Sequence, residues 1–206
     1  MSFGIARTPM LNLLADAMEI RSELRSAFLG RFQHLQRLKL IEGVNPGRGV
    51  AAEYKAHQML IIAVTMQMLQ LGLSPERAVD VIRNNQDRVH SAISIAVRDG
   101  GIHPALLWFD AALISQKTDF GLDLAVATFD VGDFALFERR MKYSFETGYV
   151  SRVSIVSVSN SLWQIVMAIE QFPRVGGTTP KIGEQSRQFI DALIDWTNTS
   201  DPESLL

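Results

Sequence analysis

The sequence predicts an α+β chain, helical through its first hundred residues and mixed after them. In several segments between Pro9 and Ala96, apolar residues recur every three or four positions, the period of one helix face. In residues 152–159, Val153 and Ile155 alternate with Ser154, Ser157 and Ser159, the two-residue period of a half-buried strand rich in β-branched side chains. With 206 residues, 47% hydrophobic and 20% charged, the chain can bury a real core, in one large domain or two small ones.

Taken in order, residues 9–21 form a helix with Met10, Leu13, Leu14, Ala17, Met18 and Ile20 on its apolar side, Thr8 as N-cap and Pro9 at the first position. A second helix covers 23–40, where Leu24, Phe28, Phe32, Leu35 and Leu38 make the stripe and Arg31, Gln33, His34, Gln36 and Arg37 lie off it. Gly43, Asn45, Pro46, Gly47 and Gly49 then favour a turn. The simplest structure for 44–54 is a two-stranded wing tipped by Gly47-Arg48-Gly49, with 50–54 as a strand. A third helix runs from Lys55 along the stripe Met59, Ile62, Ala63, Met66 and Leu69 and closes at Leu71-Gly72-Leu73. Ser74 and Pro75 open a fourth as N-cap and first helical residue. A fifth stretch holds Val89, Ala92, Ile93 and Ala96 and ends at Asp99-Gly100-Gly101.

The second half gives weaker signals. Residues 105–115 read as a strand, 122–137 are ambiguous, and 152–159 are the clearest strand. Asn160 or Ser161 caps a helix over 162–171, 172–183 is a loop containing proline and glycine, and an amphipathic helix covers 184–196.

The chemistry excludes more than it selects. The absence of cysteine removes disulfides, thiolate metal sites and cysteine nucleophiles. The four histidines, His34, His57, His90 and His103, have no zinc-binding spacing, and His57 and His90 are expected to serve packing or surface. Met59, Met66 and Met68 are expected as core filler. No Gly-x-Ser-x-Gly, His-Glu-x-x-His or phosphate-binding glycine loop occurs, so no enzyme, cofactor or metal is expected. Asp110, Asp119, Asp123, Asp130 and Asp133 are read as solvated acids rather than an active site. The N-terminus lacks the apolar stretch of a secretory signal and the run 59–64 is too short to span a bilayer, which predicts a soluble, cytoplasmic chain without membrane contact. Charge is uneven: residues 1–55 hold eight bases against five acids, whereas the remainder holds 12 bases against 17 acids. A basic N-terminal end on an acidic body fits a nucleic-acid reader.

On these residues the chain resembles a family. The run Phe28-Leu-Gly-Arg-Phe-Gln-His-Leu-Gln-Arg-Leu-Lys-Leu40 is similar to the recognition helix of MerR-type regulators, and the glycine-rich turn leading to Tyr54 resembles their wing. Leu69-Gln-Leu-Gly-Leu-Ser-Pro-Glu-Arg-Ala-Val-Asp-Val-Ile82 resembles the family's pair of helices joined at a leucine-glycine-aliphatic turn. Lys39 stands where the family usually has glycine, and no long dimerising helix is evident after Ile82.

The resemblance implies a winged helix-turn-helix DNA-binding domain over 1–84, a helical connector over 85–101 and a small α/β effector or dimerisation domain over 102–206. It implies a sequence-specific transcriptional regulator, repressor or activator, that binds double-stranded DNA as a homodimer. Arg31, Gln33, His34 and Arg37 supply donors and acceptors for base edges, while Arg25, Lys39, Arg48 and Lys55 are phosphate contacts. A small-molecule or protein effector stays open. The alternatives are a protein–protein adaptor on the same scaffold and a small-molecule sensor in the C-terminal half. There Trp108, Phe109, Phe129, Phe134, Phe137, Tyr143, Phe145, Tyr149 and Trp163 make either a pocket or plain core.

Overall fold

The most apolar segment of the sequence forms the central helix. In the computed structural model, which describes residues 3–42, 44, 52–110, 129–146, 153–171 and 183–199, helix Ala56–Gln70 is buried along nearly its whole length. The single stripe expected from its sequence is therefore too narrow. His57, Met59 to Met66 and Met68 are all buried, as befits a helix that is apolar all round. Thr65 escapes an unpaired buried hydroxyl by donating to the Ile61 carbonyl at 2.7 Å.

The described residues are mixed helix and sheet, with eight helices and two small antiparallel sheets. The N-terminal part comprises β1 (Gly4–Ala6), α1 (Arg7–Ala17), a single 3-10 turn (Ser22–Leu24), α2 (Arg25–Arg37), β2 (Glu53–Lys55), α3 (Ala56–Gln70), α4 (Pro75–Asn84) and α5 (Gln86–Ala96). A second 3-10 turn (Arg98–Gly100) leads to β3 (Leu106–Phe109), β4 (Asp130–Gly132), α6 (Phe134–Glu146), β5 (Ser154–Ser157), α7 (Val158–Ile169) and α8 (Glu184–Thr199).

Several boundaries differ from expectation for local reasons. Helix α1 starts at Arg7 rather than Pro9, because Ala6 rather than Thr8 is the N-cap. Residues 18–21 leave the helix at Glu19, which takes φ +54°. The strand expected over 50–54 is seen as Glu53–Lys55, and its partner is β1, with Gly4, Ile5 and Ala6 opposite Lys55, Tyr54 and Glu53. The wing tip at 45–51 lies outside the described residues. Helix α4 begins as expected, with Ser74 Oγ accepting from Arg77 N at 3.3 Å and Pro75 in the first turn.

In the second half, β3 is the middle strand of the order β4-β3-β5, with Leu107 opposite both Val131 and Val156. The rest of the strand expected to 115 lies outside the described residues. Helix α6, absent from the expected elements, is capped by Asp133, whose Oδ1 accepts from Leu136 N at 2.8 Å. Helix α7 starts earlier than expected because Ser157, not Asn160 or Ser161, takes the cap and accepts from Asn160 N at 3.1 Å. Alternation had suggested strand through 159, yet the cap turns the backbone into a helix at Val158.

Helices α7 and α8 pack against α1, α3 and α5, and nearly all the buried apolar side chains among the described residues form one cluster running from Met10 to Leu193. Among the described residues α2 packs mainly on α4, α1 and the 3-10 turn before it, and it touches β2 at Tyr54. No helix among the described residues is long and apolar enough to cross a membrane.

Candidate nucleic-acid interface

Two helices and the turn between them build the candidate surface. Helix α2 buries Phe28, Phe32 and Leu35 and exposes Arg25, Ser26, Ala27, Leu29, Gly30, Arg31, Gln33 and Arg37. Spacings of four, three and four residues place Ser26, Gly30, Gln33 and Arg37 on one line, opposite the buried stripe. The helix contains no carboxylate. Nothing lies within 4 Å of a Cβ built on Gly30, so the middle of this line is open.

The inner side of α2 is fixed from three directions. Gln36 Nε2 donates to the buried Tyr54 hydroxyl on β2 at 2.6 Å, and the Tyr54 and Phe32 rings lie 6.1 Å apart. Burial raises the Tyr54 pKa above its ordinary value, so the phenol keeps its proton at neutral pH. The Arg7 guanidinium lies 5.7 Å from the Phe32 ring centre. At the far end Lys39, at φ +57°, turns the chain: its N–H donates to Gln36 O at 3.0 Å, and Leu40 N–H donates to Leu35 O at 3.0 Å. That pair of bonds is the Schellman stop. Arg83 on α4 holds the turn by donating to the Lys39 carbonyl at 2.7 Å and pairing with Glu42 at 3.1 Å.

The sequence-derived contact residues fall into different environments. Arg31, Gln33 and Arg37 are exposed on α2, and neither arginine forms an ion pair among the described residues. Arg25 is exposed and paired with Asp16 on α1. His34 turns toward α4, its Nε2 3.1 Å from Glu76 Oε1. The Glu76 carboxyl sits below its usual range, first through a hydrogen bond from its own backbone N–H, with Ser74 and His34 adding to it. Lys39 and Lys55 are exposed at the end of α2 and of β2, and Arg48 lies outside the described residues.

The sequence did not point to the groove between α1 and α2. A cleft of about 460 Å³ there has the polar side chains of Arg7, Thr8, Asn12, Arg25, Ser26 and Gln33 around an apolar lining that includes Leu11 and Phe28, so it carries two guanidinium groups and several neutral donors. Arg7 Nε is buried without a hydrogen-bond partner among the described residues. Reading Thr8 as an N-cap hid the signal, which was a basic and polar first turn two residues longer than supposed.

Elsewhere the candidate chemistry is dispersed. Asp130 pairs with Arg140 at 3.7 Å, Asp133 caps α6 and Asp110 is buried, while Asp119 and Asp123 lie outside the described residues. Among the described residues no three His, Asp or Glu side chains gather as a metal site would require. Trp108, Phe109 and Phe129 are buried, Phe137 and Trp163 half-buried, and Phe134, Tyr143 and Phe145 exposed; Tyr149 lies outside the described residues. No protein-family model, curated protein or solved structure matches this chain.

Proposed function

We propose that the chain is a sequence-specific DNA-binding regulator, acting as a homodimer, with a winged helix-turn-helix of MerR type over its N-terminal part and α2 as the reading helix. One observation carries this reading: the outward side of α2 is free of carboxylates and bears Gln33 and Arg37, with Arg31 exposed on its flank, and among the described residues no C-terminal helix is a main neighbour of α2. A helix of this width enters the major groove, where Arg and Gln match base-edge donors and acceptors. The groove holding Arg7 and Arg25, together with Lys39 and Lys55, supplies the phosphate contacts that fix register, and Arg48 on the segment joining α2 to β2 adds another. His34, engaged by Glu76, sets the α2–α4 angle rather than reading bases.

Selection from a random duplex pool tests this. The wild-type protein enriches a motif, and Gln33→Ala relaxes the preference at one position of each half-site by roughly tenfold, the value of one good base contact of ~1–3 kcal/mol. A pool that stays random overturns the reading.

A second reading has its own support. Leu24 and Leu29, 52% and 38% exposed, flank the outward line of α2. An adaptor that docks a protein there binds with little dependence on salt, whereas a DNA reader loses affinity steeply.

A further inference from the structure

Helix α8 meets the residues that flank the β1–β2 ribbon at one end. Phe189 meets Phe3, the residue before β1, edge to face at 4.9 Å and 86°. Trp196 lies flat on His57, two residues beyond β2, at 4.5 Å and 4°. Gly4 is opposite Lys55, so Phe3 and His57 mark one end of the ribbon. From its other end, at Glu53, the chain leads back toward the glycine-rich segment. Seven residues, ~10 Å of helix, separate Phe189 from Trp196, so a single helix meets both residues that flank the ribbon. His90 on α5 closes the joint from a third side, its ring 5.0 Å from Trp196 at 52°.

Packing alone does not ask for this chemistry. An aliphatic or phenyl side chain at either histidine position fills the space with no polar atom to desolvate. Instead His57 is 8% exposed, and His90 Nε2 is buried with no hydrogen-bond partner among the described residues. A buried polar atom left unpaired is destabilising, and departures from local rules concentrate where a protein works rather than where it merely packs. A flat stack also fixes ring tilt, which loose aliphatic packing does not.

We propose that Trp196 is a positioning residue for the DNA-binding face: stacked on His57, it sets the seat of the β1–β2 ribbon, so that a displacement of α8 is delivered through Tyr54 of β2 to Gln36 and Phe32 of α2. This rests on the regulator reading above, and it makes α8 the route by which the C-terminal half controls binding. Replacing Trp108 and Trp163 with Phe leaves Trp196 as the sole tryptophan of the three. In that protein, saturating duplex changes the Trp196 emission by a tenth or more. Trp196→Leu, which fills space without a flat ring, lowers duplex affinity at least tenfold with an unchanged far-UV spectrum, and Trp196→Phe stays within threefold of wild type. Unchanged emission together with unimpaired binding by Trp196→Leu overturns the proposal. If no version binds duplex, the regulator reading fails and the seat is judged by amide exchange. Trp196→Leu then speeds exchange at residues 4–6 and 53–55 tenfold while leaving α4 as it was; unchanged or evenly spread exchange overturns the seat as well.

Discussion

Lys39 occupies a conformation that an L side chain adopts at a cost. At φ +57° it stands where a Schellman stop favours glycine, and no side-chain bond among the described residues offsets that cost. Lys39→Gly should therefore stabilise the fold by about 1 kcal/mol, raising the melting temperature by roughly 2–4 °C. As the same change removes a phosphate contact, duplex affinity falls while stability rises; a loss of stability would show that the lysine side chain has a structural partner. Glu19 ends α1 with the same pair of bonds, its N–H donating to Asp16 O at 3.1 Å and that of Ile20 to Ala15 O at 2.8 Å. Neither stop was legible, because sequence marks a helix end by glycine and these two lack it. The Gly72 stop was legible for that very reason: its φ is +99°. The candidate contacts divide similarly. Arg31, Gln33 and Arg37 were visible as polar positions off an apolar stripe, whereas the engagement of Arg25 by Asp16 and of His34 by Glu76 depends on how α1 and α4 approach α2.

At the scale of elements, strong periodicity and strong caps were readable and short or doubly buried pieces were not. Helix α4 announced itself through Ser74 and Pro75. Strand β1 has three residues, too few to show a period, and is held by β2 across some fifty positions. Helix α6 was obscured by Gly132 and Asp133, which read as a turn although Asp133 is its cap. The first turn of α3 gives a pH prediction. Burial, with Lys55 adding to it, lowers the His57 pKa from 6.5 to about 4. The folded state thus binds this proton less readily than the unfolded chain. The stability that follows is fully present above pH 6.5 and is lost as pH falls from there through 4, at most about 3 kcal/mol. His57→Phe should flatten that part of the stability profile while the remaining carboxylate-driven loss at lower pH persists. Denaturant midpoints measured at pH 7, 5.5 and 4.5 check it, and parallel wild-type and variant curves would contradict it.

For the molecule as a whole, the fold class was evident from two periodicities, but the joint between the halves was not. The stripe read on α3 did not reveal that α7 and α8 would cover its remaining sides, which are apolar as well. Among the described residues no C-terminal helix is a main neighbour of α2, and its arginines are exposed. The most direct measurement is a salt titration of duplex binding by the wild-type chain and by Arg31→Ala/Arg37→Ala. If α2 lies in the groove, the logarithm of the wild-type affinity falls linearly with the logarithm of salt concentration. The double variant then binds at least tenfold more weakly with little change of slope, because the two lost arginines read bases and the phosphate contacts remain. Equal affinities for the two proteins would place the bound surface elsewhere.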